Sequence, residues 1–104
     1  MNAIEINYRA ESHKNQNYVY AIFTDRGVRY TVCISSYDWD ENRITVYTKR
    51  KAYSGHGSVN VYTKQAFIEK YRNKNAESII SKMVSLLDSQ NESEGHRAPR
   101  DVKK

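Results

Sequence analysis

Tyr18-Val19-Tyr20-Ala21-Ile22-Phe23-Thr24-Asp25-Arg26-Gly27-Val28-Arg29-Tyr30-Thr31-Val32-Cys33-Ile34-Ser35 is the stretch that decides the fold. Two runs rich in β-branched and aromatic residues flank Asp25-Arg26-Gly27, and the glycine supplies the positive φ of a tight hairpin. In the second run Val28, Tyr30, Val32 and Ile34 fall on one face and Arg29, Thr31 and Cys33 on the other. The first run is apolar on both faces. That gives it a central place in a sheet and leaves its register open.

Working towards the N-terminus, Ile4, Ile6 and Tyr8 alternate with Glu5, Asn7 and Arg9, the period of a half-buried strand. A polar break over residues 11–17 separates it from the hairpin. In the other direction, residues 36–42 read as a turn-rich acidic loop holding the only tryptophan, Trp39. Strands over residues 43–53 and 58–62 then flank Ser54-Gly55-His56-Gly57. If Ile44, Val46 and Ala52 face inward with Val59 and Val61, pairing Tyr53 with Ser58 satisfies the alternation. That register sets Lys49 opposite Tyr62, and Tyr47 opposite Lys64, on the outer face.

Thr63 is a suitable cap for a helix starting at Lys64, with Phe67, Ile68 and Tyr71 as its apolar stripe. Ala76, Ile79, Ile80, Met83, Val84 and Leu87 form a second stripe at helical spacing. At about 100° per residue the two stripes point in different directions, so one straight helix cannot bury both. A break at residues 73–75 resolves this, with Asn75 capping the second helix. From Ser89 onward the sequence is polar and without periodicity, which predicts disorder. The expectation is an α+β fold: a four- to five-stranded antiparallel sheet, then two short helices on one face. Residues 1–88 form one compact domain and 89–104 a loose polar tail.

With 104 residues there is room for one core. Apolar residues make up 38%, and nine tyrosines stand against two phenylalanines and one tryptophan, so amphipathic rings must supply much of the burial. No run approaches the roughly 18 apolar residues of a membrane span, and Met1-Asn2-Ala3-Ile4-Glu5 lacks the layout of a signal peptide. A single cysteine, Cys33, fits a reducing compartment. A cytoplasmic protein without membrane partners is therefore expected. Plentiful Asn, Lys, Tyr and Ile beside one Pro fit an AT-rich genome, such as that of a phage, plasmid or low-GC bacterium.

Charge is the feature that points to function. Residues 43–74 hold eight cations, Arg43, Lys49, Arg50, Lys51, Lys64, Lys70, Arg72 and Lys74, against the single acid Glu69. The chain as a whole carries +5, so the remainder is acidic or neutral. A localised basic patch threaded with tyrosines suits single-stranded nucleic acid, whose phosphates pair with cations while bases stack on rings. The residues expected to bind it are Tyr47, Lys49, Lys51 and Tyr62 on the second hairpin, with Lys64, Lys70 and Arg72 on the first helix. A bland reading stands beside this one, because Tyr and Lys pairs also stabilise an exposed antiparallel face.

Other chemistry is thinly represented. His13, His56 and Cys33 are scattered singly, without the paired spacings of zinc sites, so no metal is expected. Asp38-Trp39-Asp40-Glu41-Asn42 opens like a calcium loop but fails at Arg43 and Lys49, where Gly and Glu are required. Trp39 either folds over the core or marks a protein-binding hot spot. Residues 54–58 match neither a P-loop nor a dinucleotide fingerprint. The sequence predicts a small nucleic-acid-binding protein that is not an enzyme and needs no cofactor. The alternative is a small modulator or inhibitor, encoded by a phage or mobile element, that docks on a host protein or host protein–nucleic acid complex. A small nuclease using His56 ranks behind both.

Overall fold

The computed structural model describes residues 5–13, 16–52 and 55–94. Five antiparallel strands run in sequence order: β1 (Asn7–His13), β2 (Gln16–Asp25), β3 (Val28–Ser35), β4 (Ile44–Arg50) and β5 (Ser58–Tyr62). A short helix α1 (Ser36–Asp40) joins β3 to β4. Helix α2 (Lys64–Lys70), a 3-10 turn (Arg72–Lys74) and helix α3 (Ala76–Glu94) follow the sheet. This is the expected α+β layout, with the sheet at its upper strand count and with a last helix of 19 residues that is far from short.

The central hairpin forms as the sequence predicts. Arg26 and Gly27 both take positive φ, 53° and 78°, and Asp25 pairs with Val28 across the two-residue turn. This is the backbone twist that matches right-handed strands. The pairing settles the open register: Val19, Ala21 and Phe23 join Val32 and Ile34 on the buried face, while Tyr18, Tyr20 and Ile22 face away. Phe67, Tyr71, Ala76, Ile79, Ile80, Met83 and Leu87 cover that face from the helical layer. Helices α2 and α3 both pack on that face.

Thr63 caps α2, its hydroxyl accepting the Ala66 N–H at 3.1 Å. The break between the two stripes is present, and Asn75 stands at the N-cap position directly before Ala76, where the first bond of α3 is accepted. It sits in the left-handed region at φ 61°, closing the 3-10 turn, and its carbonyl accepts the Ile79 N–H. Asparagine adopts that conformation more readily than most residues.

Four expectations are corrected. The polar break over residues 11–17 is narrower, because β1 runs to His13 and β2 starts at Gln16. Ser36–Asp40 is one helical turn and not a loop, capped by Ser35, whose hydroxyl accepts the Asp38 N–H at 3.0 Å. Residues 89–94 continue α3, where disorder was expected. The Gln90 amide donates to the Ser12 hydroxyl at 3.1 Å, and Ser12 donates to the buried Asn17 at 2.7 Å. A polar side chain, Gln90, ties the start of that extension to β1, and no apolar period announces it. The expected tail from residue 95 on lies outside the described residues.

The fourth correction is the register of the second hairpin. Tyr47 pairs with Val59 and Ile44 with Tyr62, and β4 ends at Arg50. The shift from the expected pairing is odd in residues, so every side chain of β5 changes face. Tyr62 turns inward against Phe67 and Tyr71, with ring centroids 6.5 and 5.9 Å apart. Val59 and Val61 are left 60% and 57% exposed, and Ala52, expected inside, is exposed beyond the strand. The physical reason is area: a buried tyrosine ring removes more apolar surface from water than the valines of an edge strand would.

Candidate nucleic-acid interface

The meander decides which charges meet. In an antiparallel sheet of sequential strands, the β2–β3 turn and the β4–β5 loop lie at the same end. Arg29 pairs with Lys49 and Val28 with Arg50, and the Lys51 N–H donates to the Gly27 carbonyl at 2.8 Å. Arg26, Arg29, Lys49, Arg50 and Lys51 are thereby gathered at one end of the sheet. None of the five forms an ion pair among the described residues. The acid nearest them in the fold, Asp25, is bonded to Lys74 at 2.9 Å. That partly buried pair, with Lys74 also 5.5 Å from the Tyr30 ring centroid, ties the 3-10 turn to the same end. Helix α3 begins just beyond it, so the positive pole of its backbone dipole adds to the field there.

The expected binding residues are divided by this arrangement. Tyr47 and Lys49 stand on the open face of the sheet and Lys51 follows at its basic end. Tyr62 lies on the other face, beneath the helices. Lys64 is at the far end of β4, where its N–H bonds to Asn42 Oδ1 at 3.0 Å and its ammonium lies 4.3 Å from the Trp39 ring centroid. Lys70 and Arg72 belong to the helical layer, flanking Tyr71 where the chain turns towards Lys74. No single platform contains all seven. The structure adds Arg26 and Arg29, which lie outside the basic run of the sequence and join it only through strand pairing.

Across the open face, register aligns Ile22, Thr31, Tyr47 and Val59 in one row and Arg9, Tyr20, Cys33, Thr45 and Val61 in the next. Arg9 forms an ion pair with Glu11 and lies 5.9 Å from the Tyr20 ring centroid. Burial pushes the Cys33 thiol up to about 11, with Asp38 adding to the rise and a bond from Tyr20 opposing it. Tyr47 is 38% exposed. Its hydroxyl accepts the Gly57 N–H at 3.3 Å, which fixes the tip of the ring against the β4–β5 loop.

Trp39 is part of the fold: it is half-buried against the core, under the Lys64 ammonium. Tyr37 beside it is 53% exposed, with the Arg43 guanidinium 5.2 Å from its ring centroid. Among the described residues no three His, Cys, Asp or Glu side chains come together as metal ligands. No helix there is long and apolar enough to cross a membrane. Comparison with protein-family models, with curated protein sequences and with solved structures found no match.

Proposed function

We propose that this protein is a small, non-enzymatic nucleic-acid-binding protein acting in the cytoplasm. The observation that carries the reading is the gathering of Arg26, Arg29, Lys49, Arg50 and Lys51 at one end of the sheet, with Asp25 already paired to Lys74. Unpaired, clustered cations are what a phosphate backbone requires, and they cost folding stability through mutual repulsion unless an anion neutralises them. Single strands are favoured because Tyr47, next to the basic end, and Tyr20, one row further in, offer rings to unstacked bases.

The test is a fluorescence anisotropy titration of single-stranded DNA and RNA over a range of salt. Each phosphate contact should add about 0.7 to the log–log slope. Replacing Lys49 and Lys51, or Arg26 and Arg29, by Ala should lower that slope, and Lys64→Ala at the far end should leave it unchanged. Absence of binding at low salt to either polymer would refute the reading. In that event the modulator alternative takes its place, favoured by β5, an edge strand among the described residues that carries the exposed Val59 and Val61. Such an edge accepts an extended segment of another protein by strand addition.

A further inference from the structure

Residues 56–58 and the adjoining corner of the sheet border an open cavity of about 300 Å³, lined by Val28, Thr48, Lys49, Arg50, His56, Gly57 and Ser58. We propose that this cavity is a phosphate pocket and that it holds the terminal phosphomonoester of a nucleic acid strand. The chemistry of the pocket stands on its own lining. The source of the phosphate rests on the nucleic-acid reading above.

Strand pairing places Thr48, Arg50 and Ser58 on the helix side of the sheet, yet Arg50 and Ser58 are exposed, so the helical layer leaves this corner uncovered. Every Lys, Arg, His, Asp or Glu among the described lining residues is a base. Arg50 offers the planar fork that matches two phosphate oxygens, and Lys49, whose side chain stands on the open face, contributes through its field. His56 supplies a ring N–H, and Thr48 and Ser58 supply hydroxyls able to donate to the remaining oxygens. No carboxylate is among the described residues that line the cavity, so none of them repels an anion there.

Gly57 is held against the strand without using these groups. A Cβ on Gly57 would stand 2.2 Å from the Thr48 carbonyl oxygen and 3.0 Å from the Tyr47 hydroxyl, so the backbone at Gly57 is pressed onto the strand. The Gly57 N–H is bonded to Tyr47. His56 and Ser58, on either side, are thus positioned by backbone packing, and their side chains remain available. The volume is at the lower limit for small-molecule sites, roughly 300–1,000 Å³, enough for a phosphate and the sugar that carries it. A monoester carries about −1.5 to −2 near neutral pH, more than the single charge of a diester, and a basic pocket discriminates in its favour.

Two measurements test this. Inorganic phosphate titrated at constant ionic strength should shift the backbone amide signals of Arg50, Gly57 and Ser58 in a saturable way, and should not do so in Arg50→Ala. In the second measurement, matched single-stranded oligonucleotides with phosphate or hydroxyl ends are compared. A phosphate end should tighten binding by about tenfold, the worth of one charge-assisted hydrogen bond. Arg50→Ala and His56→Ala should erase that difference. Silence of the amide signals towards phosphate, with oligonucleotides binding equally well whatever their ends, overturns the pocket and leaves the nucleic-acid reading standing. Amide shifts with no preference between ends overturn the terminal assignment and give the pocket to internal phosphates. Amide shifts with no oligonucleotide binding at all overturn nucleic acid as the source and the proposed function with it.

Discussion

Gly57 has space for a hydrogen atom only, since a Cβ there would lie 2.2 Å from backbone oxygen that cannot move alone. Gly57→Ala should therefore lift the loop and cost about 1–3 kcal/mol in urea denaturation, with a change in tyrosine fluorescence as Tyr47 loses its contact. Gly27→Ala differs in kind. Nothing lies within 4 Å of its Cβ, so the cost is only that of a left-handed backbone, about 1–2 kcal/mol. Cys33 gives a test by pH. Its pKa is raised from 9.0 to about 11 in the fold, so the folded state holds the proton more tightly than the unfolded chain. That contribution to stability is whole below pH 9 and disappears as pH rises through about 11. Tyr71, raised by burial and by its bond to Tyr62, acts in the same direction. A melting temperature that falls between pH 9 and 11, less steeply in Cys33→Ala, is the expected result. An equal fall in both proteins would count against it.

At the scale of elements, α3 is held in two ways along its length. Leu87 is fully buried, and Leu87→Ala should cost about 2–5 kcal/mol. Gln90, three residues on, contributes through its bond to Ser12, and Gln90→Ala should cost about 0.5–1.5 kcal/mol. If calorimetry found the two equally harmful, the division into apolar and polar anchoring would be wrong. This division also explains what the sequence made legible. Apolar period marks a helix as far as Leu87 and is silent about residues held by hydrogen bonds. The β2–β3 hairpin and the Thr63 cap were readable because each is specified locally, by a turn glycine and by one hydroxyl. The register of β4 with β5 was not, because alternation offers two parities and the choice between Tyr62 and the valines is made by the rings of Phe67 and Tyr71, which lie outside the sheet. Likewise the basic run over residues 43–74 was visible as composition, while the membership of Arg26 and Arg29 depended on the meander bringing two turns to one end.

For the whole molecule, the gathered cations are one pole of an uneven charge distribution. The opposite end of the sheet carries Asp38, Asp40 and Glu41 against Arg43 and Lys64, and α3 runs from the basic end towards it. Along β4 the two ends are separated by about 20 Å, at about 3.3 Å per residue. The Debye length in physiological salt is about 8 Å, so each end is felt separately by an approaching charge. A polyanion therefore exerts a torque as well as a pull. The molecule is turned basic end first while still diffusing, and a larger share of encounters begins in a productive orientation. Arg26, in the turn at that end and outside the lining of the cavity, is the residue to separate these effects. In stopped-flow measurements at low salt, Arg26→Ala should slow association severalfold and leave dissociation nearly unchanged, and the difference should vanish in high salt. Salt would then govern how often a strand arrives the right way round, quite apart from how firmly it is held.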